Sequence, residues 1–284
     1  TPDEGYMIDA VTVTGSDEGK VAVTDAGDGT YTFTMPAKAV TVEASFKSMA
    51  AKIGSTYYAS LAAAVTGASA GDTITMLADS EEGAFTIGKN VTIDLNGKTV
   101  TESGVITVSA GTATVTASSD PSTGKIVLTQ SSGDHVVDVI GSGTKFVLDS
   151  GTLYSTVNTI LAVHDSAECE VNGGTIDAAN PNGSVAAYAY GRGKVTVTGG
   201  TLHAYNDGAL TASTDGTLVI GQAEGKTTTI TSDQMYAVAA YWSGASVTVT
   251  GGTITGKLGG VRPYYGATAT ISGGTVRGES CGVY

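Results

Sequence analysis

One short pattern of apolar and polar residues recurs along the chain between residues 93 and 276. It reads apolar, polar, apolar, polar, Gly, Gly, Thr, apolar, and its clearest copies are VTVTGGTL (195–202), VTVTGGTI (247–254) and ATISGGTV (269–276). Apolar residues that alternate with polar ones predict β-strands with one buried face. The Gly pair predicts a sharp corner within each copy, because Gly adopts positive φ angles at little cost.

The copies follow one another at nearly regular intervals. Their last apolar residues lie 22 to 28 positions apart, at Val100, Ile126, Leu153, Ile176, Leu202, Ile230, Ile254 and Val276. A second alternating strand precedes most copies, for example at Val137 and Val139 or at Leu161 and Val163. A repeat of about 25 residues with corners of variable length is typical of solenoids. The sequence therefore predicts an all-β fold, a right-handed parallel β-helix with about 25 residues per coil.

The first 60 or so residues follow different patterns. Leu61, Ala64, Val65 and Ala68 have the spacing of one helical stripe, and we interpret this segment as a helix that caps the N-terminal end of the β-helix. Upstream, alternating strands separated by Gly and Asp turns, within residues 11–46, predict a separate β-structured segment over residues 1–48. The β-helix then occupies residues 49–284, and we expect further coils beyond its last residue.

Composition and charge exclude two kinds of partner. The chain has 27 acidic and 14 basic residues, a net charge of −13, and no run of Lys or Arg. Such a field repels phosphate backbones and anionic lipids, so we expect no nucleic acid partner and no membrane contact by this segment. The longest apolar runs are far shorter than the ~20 residues of a membrane-spanning helix.

Three segments carry a resemblance to a known class of protein. GDGTYTFTMPAKAVTVEASF (27–46) closely resembles the end of a small β-sandwich repeat of Gram-positive bacterial cell-surface proteins, which implies a partial small β-sandwich domain over residues 1–48. IGSTYYASLAAAVTGASAGDTITML (53–77) and NVTIDLNGKTV (90–100) are similar to the start of β-helix domains in such proteins, which belong to the pectate-lyase-like superfamily. The resemblance implies a secreted segment, at the cell surface or in the cell wall, that is a monomeric part of a larger chain.

Membership of that superfamily would also imply carbohydrate-active enzymes as relatives. Lyase chemistry of the pectate type needs clustered carboxylates for Ca²⁺ and a basic residue. Arg262 aligns with Ala239 and Thr211, whereas Asp138 lies five coils away, roughly 24 Å at ~4.8 Å per coil. The sequence therefore predicts no metal site and no cofactor. The turn residues Asp25 and Asp28 are interpreted as a simple turn, although their spacing allows half of a calcium loop.

One group of acidic residues remains as a candidate for hydrolysis. Asp138 and Asp165 fall on adjacent coils near His135 and His164, and glycoside hydrolysis uses two carboxyl groups about 5 to 9.5 Å apart. The alternative interpretation is that these side chains are solvated turn residues. The sequence assigns no catalytic residue beyond these candidates.

Outward aromatic residues form a more informative pattern. Aligning the second strands places Ile140, His164, Tyr190, Ser213, Tyr241 and Tyr264 in one column, which predicts a flat ridge along the coils. The candidate ligand-binding residues are Tyr188, Tyr190, Tyr241, Trp242, Arg262, Tyr264 and Tyr265. Such rings stack on sugars or anchor a protein partner, or else they only stiffen the sheet. The sequence favours a non-enzymatic, adhesin-like scaffold that binds glycans or a host surface protein; a polysaccharide-degrading enzyme and a passive stalk are the alternatives.

Overall fold

The chain folds into a parallel β-helix of about eight turns, which confirms the predicted fold class. The computed structural model describes residues 2–3, 5–27, 29–120, 122–128, 135–157 and 159–284. Each coil contributes one strand to each of three parallel sheets, named here faces 1, 2 and 3 in the order in which the chain visits them. The faces enclose a single core of apolar side chains.

The strands are short and have closely matched lengths from coil to coil. Face 1 contains Asp72–Met76, Val91–Asp94, Thr112–Thr116, Lys145–Leu148, Glu168–Val171, Lys194–Val197, Thr217–Ile220, Ser246–Val249 and Thr268–Ile271. Face 2 contains Ser80–Glu82, Thr99–Glu102, Lys125–Leu128, Thr152–Ser155, Thr175–Ala178, Gly200–Ala204, Thr228–Ser232, Thr253–Gly256 and Thr275–Gly278. Face 3 contains Phe85–Ile87, Ile106–Val108, His135–Ile140, Thr159–His164, Ala187–Ala189, Leu210–Ser213, Tyr236–Tyr241, Gly259–Tyr264 and Cys281–Val283.

The register of face 2 follows the repeat that the sequence shows. The last apolar residue of each copy pairs with its counterpart in the next coil, from Val100 with Ile126 through to Ile254 with Val276. These residues are buried along most of the stack, because equivalent residues of successive strands point to the same side of the sheet. The apolar columns of faces 1 and 3 stack in the same way, for example Cys169 on Phe146 and Ala187 on Leu161.

The Gly pairs make the corner between faces 1 and 2 possible. Gly174 has a φ angle of +73°, and a Cβ atom at this position would lie 2.5 Å from the carbonyl oxygen of Gly151 in the preceding coil. A Cβ at Gly173 would collide with the carbonyl oxygen of Asp149. The corner therefore requires Gly both for its backbone conformation and for the close approach of successive coils.

A helix covers the N-terminal end of the stack, as predicted. Helix α1 spans Leu61–Gly67, with Ser60 as its N-cap residue and Ala68 as its C-cap residue. Its buried residues, Leu61, Ala64 and Val65, join the core of the β-helix. Strands Ala51–Ile53 and Thr56–Tyr58 extend face 1 antiparallel at this end. In the described part of the chain, no helix has the length and hydropathy to cross a membrane.

Two glutamates interrupt the apolar stack near α1. Glu82 and Glu102 are neighbours on face 2 and both are buried, Glu102 completely. The Glu82 carboxylate accepts hydrogen bonds from the backbone N–H groups of Leu61 (2.6 Å) and Ala62 (3.2 Å) and from the hydroxyl of Ser80. Neither carboxyl oxygen of Glu102 has a hydrogen-bond partner among the described residues. Burial, and next the charge of Glu82, raise the pKa of Glu102 to about 8.

The first 48 residues form two small antiparallel sheets. Strands Lys20–Val21, Tyr6–Gly15 and Val40–Ser48 make one sheet, and Val23–Asp25 pairs with Tyr31–Phe33 in the other. Most of their side chains are exposed or half-buried. The assignment of this segment to a partial β-sandwich, and its boundary at residue 48, stay predictions. Asp28 of the considered calcium turn lies outside the described residues.

Candidate functional site

The outer surface of face 3 carries the aromatic residues that the sequence singles out. Tyr264 pairs with Tyr241, and Tyr241 pairs with Ser213, as the predicted column requires. Ile140 pairs with His164 further towards the N-terminus. These pairings place the residues in the register that the alignment predicts. The aromatic residues of the column fall into two groups.

The larger group lies on the last complete coils and contains Tyr241, Trp242, Tyr264 and Tyr265, which we call the aromatic wedge. Tyr264 and Tyr265 meet edge to face at 3.9 Å between ring centroids, Tyr241 and Trp242 at 5.9 Å, and Tyr241 and Tyr264 at 6.2 Å. Trp242 is 54 % exposed and Tyr265 is 64 % exposed. Tyr241 lies deeper, and burial followed by the charge of Asp207 raises its pKa above the ordinary value.

The two exposed rings sit on an unfavourable backbone conformation. Trp242 has a φ angle of +68° and Tyr265 one of +51°, in the left-handed region that bulky residues rarely adopt. The same corner carries Gly141 (φ +98°) and Gly191 (φ +53°) in two earlier coils, and the small polar residues Asp165 (φ +54°) and Thr214 (φ +45°) in two others. A non-Gly residue in this conformation costs about 1–2 kcal/mol. Trp and Tyr therefore occupy positions where Gly would serve the fold better.

Arg262 lies beside the wedge and is held by three tyrosines. Its guanidinium carbon is 4.2 Å from the ring centroid of Tyr264, 4.7 Å from that of Tyr236 and 5.0 Å from that of Tyr284. Such distances are typical of cation–π contacts. Tyr236 and Tyr284 are not among the ligand-binding residues that the sequence predicts. The alignment that placed Arg262 could have found Tyr284, since Val283 pairs with Val261 and Tyr284 follows it.

The smaller group surrounds His164 and contains the candidate catalytic residues. The His164 ring stacks on Tyr190 at 4.6 Å with an interplanar angle of 10°, and Tyr190 lies 5.0 Å from Tyr188. The ring nitrogen Nε2 of His164 is 2.9 Å from Asp138 Oδ1, and Nδ1 is 3.3 Å from Asp165 Oδ2. The structure thus brings together Asp138, His164 and Asp165 as the sequence suggested.

This arrangement leaves little room for acid–base chemistry. A general acid or base must reach a proton of the substrate directly or through one water. Both imidazole nitrogens of His164 already face carboxylates, and Asp138 is occupied by the same contact. The geometry fits a bridge between two adjacent coils better than a catalytic pair.

The coil between the two groups separates them. Thr211 and Ser213 occupy its outward positions, both are buried, and Ser213 shares a hydrogen bond with the hydroxyl of Tyr188. The predicted continuous flat ridge is therefore wrong in shape, because the small side chains of this coil divide it and the rings of the wedge meet at steep angles.

No protein-family model, curated protein or solved structure matches this chain. Within the described residues, no group of three or more His, Cys, Asp or Glu side chains is placed to hold a metal ion.

A second imidazole, on face 2, was also missed. His203 Nδ1 lies 2.6 Å from Asp177 Oδ1, and Nε2 lies 3.2 Å from Asp233 Oδ2. Partial burial alone would lower the pKa of His203, but its hydrogen bonds to the two aspartates outweigh burial and raise it. Asp177 and His203 each follow the last apolar residue of neighbouring copies, so the repeat itself could have paired them.

Proposed function

We propose that this chain is a non-enzymatic, surface-displayed binding segment that holds sugar rings against the aromatic wedge. One observation carries the proposal: Trp242 and Tyr265 are large, exposed and placed where the backbone favours Gly. Residues held in strained conformations cluster at functional sites, because selection for folding alone would remove them. A ladder that only stiffens the sheet does not need rings that are more than half exposed and stand on a left-handed backbone.

The shape and chemistry of the wedge favour a sugar. Tyr and Trp offer an apolar ring face with a polar edge, which suits ligands that have both apolar and hydroxyl-bearing surfaces. Consecutive coils are ~4.8 Å apart, so the rings of two coils form one continuous surface along the axis. An open surface of this kind suits an extended glycan better than an enclosed small molecule.

The proposed location at a bacterial cell surface rests on the resemblance of residues 27–46, 53–77 and 90–100 described above. A rigid stack of coils that carries its binding residues on one face is well suited to display. A protein partner on the host surface is the other occupant that the wedge would accept, since Tyr and Trp are enriched at protein interfaces.

A paired substitution of the wedge tests the proposal. Binding of the purified chain to an array of neutral and acidic glycans is measured for the wild type and for a Trp242→Gly, Tyr265→Gly double variant. We expect the variant to lose at least about tenfold in affinity, the equivalent of ~1.4 kcal/mol. Its free energy of unfolding should stay equal or rise by about 1 kcal/mol, because Gly relieves the left-handed strain.

Tyr205 provides the matched control. It is 40 % exposed and follows a strand of face 2, away from the wedge. Tyr205→Gly should leave glycan binding unchanged. A wild-type chain that binds no glycan on the array, or a double variant that binds as well as the wild type, would contradict the proposal, as would release of new reducing ends from any glycan.

A further inference from the structure

The charge of Arg262 has no acidic partner in the described part of the chain. Some exposed cations do have one: Lys145 Nζ lies 2.7 Å from Glu170 Oε1, and Lys47 Nζ lies 3.6 Å from Asp9 Oδ1. Others, such as Arg277, have none among the described residues, and Arg262 differs from them because three tyrosine rings surround it. Arg262 forms no ion pair with any described carboxylate, although the chain contains 27 acidic residues. Its Nε atom is buried and without a hydrogen-bond partner among the described residues.

The tyrosines around Arg262 fix its position but leave its charge uncompensated. Cation–π contacts with Tyr236, Tyr264 and Tyr284 attract the guanidinium through the ring quadrupoles, which carry no net charge. Tyr264 belongs to the wedge, so the guanidinium lies next to the surface on which a sugar ring would stack. Arginine presents planar N–H donors that match the oxygens of a carboxylate or a sulfate.

We propose that Arg262 is the anion-pairing residue of the aromatic wedge, and that the ligand is a sugar ring with a carboxylate or sulfate substituent. This inference rests on the proposed function and narrows its ligand class. The net charge of −13 does not prevent such binding, because salt screens exposed charges beyond about 8 Å at physiological ionic strength. Contact between Arg262 and the substituent falls well within that distance.

A set of matched ligands tests the inference with the whole chain. Dissociation constants are measured for an oligosaccharide of a hexuronic acid, for the same oligosaccharide with its carboxyl groups reduced to alcohols, and for a sulfated form of the reduced one. We expect the wild type to bind one of the two anionic ligands at least about tenfold more tightly than the neutral one. That preference should shrink as salt is raised from about 50 to 500 mM.

Two substitutions separate charge from packing. Arg262→Gln should abolish the preference for the anionic ligand, so that the anionic and the neutral ligand bind with equal affinity, and Arg262→Lys should retain part of the preference because it keeps the charge. The melting temperature of each variant reports whether the tyrosine cage still holds. If Arg262→Gln does not fold, the wild-type ligand comparison and the Lys variant still decide the question.

The possible results distinguish this inference from the proposed function. Equal binding of neutral and anionic oligosaccharides by the wild type would overturn the role of Arg262 and leave the sugar-binding wedge standing. A preference for the anionic ligand that survives in Arg262→Gln would overturn it as well. Failure to bind any of the three ligands, together with an empty glycan array, would overturn the proposed function itself.

Discussion

A carboxyl group enclosed among apolar side chains resists ionisation, and Glu102 is in this situation. It lies in the inward column of face 2 between Glu82 and Leu128, where neither of its oxygens has a partner among the described residues. Its pKa of about 8 is far above that of a glutamate in an unfolded chain, about 4.3. The folded state therefore binds more protons than the unfolded state between these two values.

Stability should consequently fall as the pH rises through this window. Where the folded state holds the extra proton, the free energy of unfolding decreases with increasing pH. We expect the wild type to lose on the order of 3 kcal/mol between pH 5 and pH 8, at up to about 1.4 kcal/mol per pH unit. Glu102→Gln cannot ionise and should remove most of this slope, as measured by urea unfolding at a series of pH values.

The solvent-facing neighbour Glu81 supplies the control for this experiment. Glu81→Gln should keep the wild-type slope. A Glu102→Gln chain with the same pH dependence as the wild type would show that Glu102 is ionised in the fold.

At single residues, the sequence pattern predicts some structural features and not others. Alternation predicts an apolar residue at each inward position, so the pattern gives no reason to expect a buried carboxyl at Glu102. Trp242 and Tyr265 are outward neighbours of the column, as the alignment predicts. The alternating pattern does not reveal their left-handed backbone, and the only hint of it is that Gly141 and Gly191 occupy the equivalent positions in earlier coils. The tyrosine cage of Arg262 depends on side-chain directions that no periodicity encodes.

At the scale of the element, the position of a face 2 strand depends on the Gly corner that precedes it. Gly174 combines a positive φ angle with close approach to the backbone of the preceding coil. We expect Gly174→Ala to lower the free energy of unfolding by about 1–3 kcal/mol, because the methyl group meets strain and a carbonyl oxygen together. Chemical unfolding monitored by circular dichroism would measure the loss.

Gly88→Ala is the matched substitution without either problem. Its φ angle lies outside the left-handed region, and an added Cβ would be 3.8 Å from the hydroxyl oxygen of Ser109, an ordinary van der Waals contact. This variant should be as stable as the wild type. A Gly174→Ala chain as stable as the wild type would show that the corner tolerates a side chain and that its Gly residues have another role.

Helix α1 shows what a local pattern can and cannot predict about an element. Its span of Leu61–Gly67 agrees with the stripe of apolar residues, because helical spacing and the cap at Ser60 are encoded within a few residues. The carboxylate of Glu82, which binds the N–H groups of Leu61 and Ala62, comes from 20 or more positions further along the chain. Only the completed coil brings it there.

At the scale of the whole molecule, the coils are nearly interchangeable units. Each strand pairs with its counterparts in the adjacent coils of the same face. Removing the 26 residues from Cys169 to Lys194 would pair Phe146 with Val195, Leu153 with Leu202 and Leu161 with Leu210. Solenoid stability is approximately a sum over neighbouring repeats. We therefore expect the shortened chain to fold cooperatively, with a strand-rich circular dichroism spectrum.

A deletion of about half that length tests the register rather than the size. Removing residues 169–181 would place a segment of face 3 where face 1 belongs, and the inward and outward residues would no longer match. This variant should fail to fold. If both deletions fold equally well, stacking in register is not what stabilises the chain.

The links between faces 1 and 2 differ in length without disturbing the core. Thr198 and Gly199 suffice to join strands Lys194–Val197 and Gly200–Ala204, whereas residues 221–227 join Thr217–Ile220 to Thr228–Ser232. Ile220 still pairs with Val249, and Ile230 with Ile254. Peptides grafted into this link would extend outward from an undisturbed frame, so epitopes could be presented in rows, one per coil, at ~4.8 Å steps.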